Sequence, residues 1–204
     1  MNKNKARFFD TQATEAWARA EYSNQEIEKL RQAMSVLGVF SGMKVFEPGC
    51  GTGRLTELLS HRIIPEGSVV ALDISQAMLE ASRDRLKGSK NVSLIMGTME
   101  NTNLAADNFD AVICHNVFHH FSDKVAMLRK TAKILKPQGQ FLIHHFLGLS
   151  EINNPARKMH KMVYQDMMPS FEQMQYMFSL AEMRMTYYSD SDEGFIVRAV
   201  PARS

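Results

Sequence analysis

The sequence predicts an α/β protein whose sheet is mainly parallel and carries helices on both faces. Three observations carry that prediction. Apolar runs of strand length alternate with segments of helical period along most of the chain. Between the first apolar run and the first helix of this pattern, glycine recurs at every second position: Gly49-Cys50-Gly51-Thr52-Gly53. The second strand ends in an acid, Asp73.

Taken in order, Val45 and Phe46 read as a short buried strand, and Leu55, Leu58 and Leu59 open an apolar helix behind the glycines. Val69-Val70-Ala71-Leu72 is the second strand. Ser75 caps a helix running to about Lys87, where Gly88 ends it. Val92 to Met96 is the third strand, and Phe109 to Cys114 the fourth, introduced by the turn-like Ala106-Asp107-Asn108. A helix from about Asp123 to Lys136 aligns Val125, Leu128, Ala132 and Leu135 on one face. Pro137-Gln138-Gly139 stops it, and Gln140 to Phe146 is the fifth strand. Met183 to Tyr188 and Gly194 to Val200 close the chain as two strands joined by a polar acidic turn.

Two segments stand outside this core. Residues 1–40 read as two amphipathic helices carrying Phe8, Phe9, Trp17 and Tyr22. Residues 147–180 form an insertion rich in methionine: Met159, Met162, Met167, Met168, Met174 and Met177. Ligands of open α/β sheets sit outside the carboxyl ends of the strands, and both segments are placed to cover that edge. Flexible thioethers suit a lid over an apolar substrate, and they equally suit gap-filling between helices. A single domain over 1–204 is expected: N-terminal helices 1–40, a ligand-binding core 41–146, an insertion 147–180 and a closing hairpin 181–204.

Composition excludes several function classes. With 204 residues, 45% apolar and 23% charged, the chain reads as an ordinary globular protein. A formal charge of +2 does not argue for a nucleic-acid partner. No apolar run reaches membrane-span length, and the polar start lacks a secretory apolar region. Cys50 and Cys114 form no C-x-x-C pair, which argues against a disulfide framework or structural zinc and for a cytoplasmic protein with reduced thiols.

The glycine loop narrows the ligand. A dinucleotide fingerprint needs glycine where this chain has Arg54, and no Gly-Lys-Ser/Thr phosphate loop is present. Glu47, at the head of the loop, offers a carboxylate to a cationic group, and Asp73 can accept from both hydroxyls of a ribose. Together they fit an adenosine whose other end carries an amino acid.

This pattern, Glu47-Pro48-Gly49-Cys50-Gly51-Thr52-Gly53 followed by Asp73, resembles the class I S-adenosylmethionine-dependent methyltransferases over roughly residues 40 to 200. Within them it is similar to the small-molecule, ubiquinone/menaquinone-biosynthesis group. The resemblance implies a Rossmann-like seven-stranded sheet whose last strand is antiparallel, with the insertion after strand five as a helical lid. It also implies S-adenosylmethionine as cofactor. Glu47, Gly49, Gly51 and Gly53 would line its methionine end, Asp73 its ribose and Ile74 its adenine. Thr98 and Met99 stand where relatives carry Asp-Ala, so a hydroxyl replaces the carboxylate that accepts from the adenine amino group, without charge assistance. His115 would offer its backbone carbonyl to the cofactor's amino group.

Histidines cluster at His115, His119 and His120 after strand four and at His144 and His145 on strand five. One of His119, His144 or His145 could take a proton from the acceptor. Metal binding and simple packing are the competing readings, and no metal is expected. Alternation along a strand sends His144 and His145 to opposite faces. Cys50 reads as a packed small residue, and Lys124, Arg129, Lys130, Lys133 and Lys136 as a solvated helix face.

The expected reaction is methyl transfer to a small molecule by in-line displacement, a task that rests chiefly on alignment. A base-flipping Asn/Asp-Pro-Pro-aromatic motif is absent at Asn116-Val117-Phe118, which argues against a nucleic-acid substrate. The alternatives are a protein methyltransferase and a non-catalytic cofactor-binding subunit.

Overall fold

The computed structural model describes residues 3–157 and 163–202. Seven strands form one sheet in the order β3-β2-β1-β4-β5-β7-β6. They are β1 Lys44–Pro48, β2 Ser68–Asp73, β3 Val92–Met96, β4 Phe109–His115, β5 Leu135–His145, β6 Met183–Ser191 and β7 Gly194–Pro201. The first five pair in parallel, and β7 runs antiparallel between β5 and β6. The Rossmann-like sheet with an antiparallel last strand is therefore present as the sequence predicts.

Alternation builds two cores. Phe46, Val112, Phe141, Ile143 and Val197 face one way, and Val45, Ala111, Ile113, Leu142 and Ile196 the other. The first face packs on α6 (Lys124–Ile134) and α8 (Phe171–Leu180) through Met127, Leu128, Met174 and Phe178. The second is covered by α3 (Asn24–Leu37), α4 (Arg54–Arg62) and α5 (Gln76–Arg85) through Leu30, Met34, Leu37, Leu55, Leu59 and Leu79. The α3 stripe Leu30, Ala33, Met34, Leu37 has the i, i+3, i+4, i+7 spacing of a buried face. A reciprocal Ser23–Glu26 capping box starts that helix, and Gly38 in the left-handed region ends it.

Three boundaries differ from the sequence expectation. The N-terminal segment holds α1 (Lys3–Gln12) and a four-residue α2 (Ala16–Arg19) before α3, three helical pieces in place of two. The α6 helix ends at Ile134, because Leu135 already pairs with Phe109 of β4. Gln140 then pairs with Ala111, so Lys136 to Gly139 loop out of the ladder and Pro137 occupies that bulge. The closing hairpin is longer than expected: β6 reaches Ser191, and only Asp192 and Glu193 separate it from β7.

The helix after β4 is also less solvated than its charges suggest. Lys124 donates to the carbonyls of His119 and Phe121, Arg129 to that of Leu180, and Lys130 to that of Thr102. These cations fasten loops at the helix edge.

Asp10 pins the α1 helix to the start of α5. Asp10 accepts from the Ser75 hydroxyl at 2.6 Å and from the Ala77 N–H at 3.2 Å, placing its carboxylate at the N-terminus of α5. Replacing it (Asp10→Ala) is expected to cost about 1–2 kcal/mol in urea unfolding. The same variant should be cut by protease within α1 faster than the parent; equal cleavage would mean that other contacts hold the helix.

Candidate active site

Strand order reverses beside β1: β2 and β3 lie to one side of it, β4 and β5 to the other. At such a switch point the loops leaving neighbouring strands diverge and open a crevice at their carboxyl ends. Here that crevice is a cavity of about 500 Å³. Its lining comes from the end of β1 and the loop behind it (Glu47 to Thr52, Arg54 and Leu55, but not Gly53), and from the carboxyl ends of β2 (Asp73, Ile74), β3 (Gly97 to Asn101) and β4 (His115 to Val117, His120 to Asp123), with Lys5, Phe9, Trp17, Ala18 and Tyr22 from the N-terminal segment.

The glycine loop is folded by close approaches. A Cβ on Gly49 would stand 2.3 Å from a Val117 methyl, and one on Gly53 would stand 2.5 Å from the Ser82 hydroxyl, both at positive φ. A Cβ on Gly51 would meet nothing within 4 Å, so this peptide borders open space. The Gly49 and Cys50 N–H groups both donate to the Leu72 carbonyl, and the Gly51 N–H donates to Asp73 Oδ2 at 2.8 Å. The other carboxylate oxygen of Asp73 accepts from the Ser75 N–H at 2.9 Å. Each oxygen keeps a further lone pair for a ligand hydroxyl.

Glu47 is buried, and its Oε2 accepts from the Thr56 hydroxyl at 2.7 Å. Burial pushes its carboxyl up to about 8; the Thr56 bond opposes that rise and the nearby Asp73 charge adds to it. Burial likewise raises Asp73, against the amide bonds that favour its anion. A chamber floored by two buried carboxylates is chemically suited to a cationic guest.

Ile74 and Thr98 are half-buried on the cavity wall, and Met99 is a buried part of the same wall. The Thr98 hydroxyl accepts weakly from the Asn101 N–H at 3.3 Å, closing the turn after β3. Cys50 is buried, and its thiol is pushed well up by that burial, consistent with packing.

The histidines divide otherwise than expected. His115 and His120 line the cavity, whereas His119, His144 and His145 do not. His144 sits opposite His115 in the β4–β5 register, their rings stacked and their Nδ1 atoms 2.9 Å apart, so one donates and the other accepts. Burial holds His144 down to about 4 and His145 down to about 3, keeping both neutral. His145 turns to the opposite face, against Phe195. None of the three base candidates, His119, His144 and His145, is therefore brought to the cavity wall. Among the described residues no group of three or more His, Cys, Asp or Glu is arranged to hold a metal ion.

Sequence reasoning missed the way the N-terminal segment is sewn to the loop. The Arg54 guanidinium lies 3.8 Å from the Tyr22 ring centre and donates to the Trp17 carbonyl at 3.2 Å. The Thr52 hydroxyl donates to the Ala18 carbonyl. An arginine where a dinucleotide loop has glycine was the visible signal. In the 147–180 segment, Met168 and Met174 are buried in the core, Met177 packs on it and Met167 is exposed. Met159 and Met162 lie outside the described residues. No described residue of this segment lines the cavity.

A glycine loop, a strand-end acid and a cavity at the switch point of an open sheet define the α/β class whose ligands sit at the carboxyl ends of the strands. A family model described as a methyltransferase domain matches residues 40–185, and the chain belongs to that methyltransferase family. It is 34% identical over 119 residues to a ubiquinone/menaquinone biosynthesis C-methyltransferase of Pseudomonas fluorescens, covering 57% of this chain and 46% of that protein. The corresponding enzyme of Idiomarina loihiensis is 35% identical, with 57% and 47% covered. The chain thus spans about half the length of these curated relatives. Among solved structures, an S-adenosylmethionine-dependent methyltransferase from Aquifex aeolicus superposes with a TM-score of 0.70 at 19% identity, covering 88% of this chain and 98% of that one. No helix among the described residues is long and apolar enough to cross a membrane.

The Glu47 carboxyl makes a stability prediction with a definite sign. Its folded pKa, about 8, lies above the ordinary 4.5, so its contribution is intact below 4.5 and is lost as pH rises through 8. Glu47→Gln imitates the protonated acid. Without ligand, the two proteins should melt together near pH 4.5, and at pH 8 the variant should melt higher by roughly 5 °C. Equal melting temperatures at both pH values would show that the carboxyl ionises at little cost.

Proposed function

We propose that this protein transfers the methyl group of S-adenosylmethionine to a small molecule bound beside it in the 500 Å³ cavity. The observation that carries this reading is the covered cavity itself: an acidic floor for a cationic cofactor under a largely aromatic roof. Glu47, Gly49, Gly51 and Gly53 would hold the methionine end, where two carboxylates favour an ammonium and a sulfonium. Asp73 would take the ribose hydroxyls, with Ile74, Thr98 and Met99 around the adenine. The His115 backbone carbonyl, at the end of β4, would meet the amino group.

When bound, the cofactor supplies a methyl group already activated by its sulfonium. The protein's own work is then to align a nucleophile and exclude water. Phe9, Trp17, Tyr22 and Phe121 supply flat apolar surface for the acceptor. The curated relatives are C-methyltransferases of quinone biosynthesis by name, which supports an apolar ring compound methylated at carbon as the acceptor class.

Calorimetric titration with S-adenosylmethionine tests this. Asp73→Ala should weaken binding by roughly 100-fold, the loss expected for two hydrogen bonds to a charged group. A cation settling near Glu47 should also expel its proton, so binding at pH 7 should release about one proton and tighten as pH rises toward 8. Trp17, the one tryptophan of the chain, lines the cavity and gives a fluorescence signal for the same titration. An unchanged affinity in Asp73→Ala would sink the placement of the ribose.

A further inference from the structure

A second polar constellation, assembled from three distant parts of the chain, reaches the cavity wall. His120 lies in the short 3-10 helix Phe118–His120 after β4. Its Nδ1 is 2.6 Å from Asp166 Oδ2, in the segment between β5 and α8. Lys5 of α1 donates to Asp166 Oδ1 at 2.8 Å and to the His120 backbone carbonyl at 2.7 Å. The Phe9 ring packs edge-on to the imidazole, with centres 5.1 Å apart. Lys5, Phe9 and His120 all line the cavity.

We propose that His120 is the proton acceptor for the methyl acceptor, oriented by Asp166, and that the acceptor is a phenol or enol with an acidic O–H. This rests on the methyl-transfer reading of the cavity. A carboxylate at Nδ1 holds the hydrogen there and fixes the ring, which leaves Nε2 as the basic nitrogen for a substrate. The same carboxylate stabilises the imidazolium once formed. The step is a proton transfer. The acceptor's O–H bond breaks, its electron pair stays on oxygen, and the proton bonds to Nε2, leaving an oxyanion beside an imidazolium. Such an oxyanion spreads its charge onto ring carbons, so one proton transfer serves methylation at oxygen or at carbon.

The charges around His120 suit this task. Besides Asp166, it is faced by Lys5 from α1, Lys124 from α6, His119 on its own helix and His145 on β5. Burial lowers its pKa and Asp166 opposes that, so the ring is neutral at pH 7 and ready to accept. The two lysines favour the oxyanion product. Asp166 is a positioning residue: it reaches the substrate only through the imidazole.

The test uses 4-nitrophenol, whose ionised form is yellow, with protein saturated by the demethylated cofactor. The wild-type complex is expected to ionise the bound probe about one pH unit lower than free probe, a tenfold change in its ionisation constant. His120→Gln should abolish that shift. Asp166→Asn, which keeps a hydrogen-bond acceptor and removes the charge, should reduce it in protein that still binds the demethylated cofactor. No shift in the wild type, or an equal shift in both variants, would overturn the proposal. Cofactor calorimetry on the same proteins separates the two failures: intact binding without a probe shift rejects His120 alone, and no cofactor binding by the wild type rejects the methyl-transfer reading.

Discussion

The Asp73 carboxylate is the point on which the site depends. One oxygen takes the Gly51 N–H of the glycine loop, and the other takes the Ser75 N–H at the head of α5. Two loops that leave adjacent parallel strands are therefore joined by one side chain. Ser75 carries the tie outward, since its hydroxyl donates to Asp10 of α1. Loop, strand, α5 and the N-terminal cover thus share one hydrogen-bonded chain. An unpaired carboxylate at this depth would be costly; backbone amides offset the cost and hold the loop open toward the cavity.

Glu47 completes the floor on less favourable terms. Its carboxyl is met by the Thr56 hydroxyl, and a second carboxylate stands nearby. The ligand-free protein therefore carries stored electrostatic cost where a cationic cofactor would relieve it. This is the familiar conflict between a stable fold and a site shaped for something else. His115, His144 and His145 meet burial differently, by remaining neutral, and so contribute packing and one shared hydrogen bond instead of charge.

The cavity's cover is held by polar contacts of modest reach. Arg54 and Thr52 bind backbone carbonyls of α2 (Ala16–Arg19), and Lys5 and Asp166 meet at His120. None of these joins residues near in sequence; Lys5 and Asp166 are separated by 161 positions. A cover fastened by a few such bonds can open at limited cost to admit cofactor and acceptor and still exclude water when shut.

The sheet was legible because its causes are local. Val45, Phe46, Val69 to Leu72 and Phe109 to Cys114 alternate between two buried faces, and period two with glycine and proline punctuation marks such strands directly. The glycine loop and Asp73 were legible for the same reason, since a fixed spacing reflects a fixed backbone path. What stayed hidden was set by contacts between remote segments. Leu135 joined β5 because Phe109 was there to pair with it, against the helical period that ended at Lys136. His119 and His120 are adjacent in sequence and alike in chemistry; only the arrival of Asp166 and Phe9 distinguishes the one on the cavity wall. By itself the sequence determined the fold and the cofactor loop, because hydrophobic period and glycine spacing act within a few residues. Tertiary structure alone decided which histidines line the cavity and which segment roofs it, because those outcomes depend on distances that no local pattern encodes.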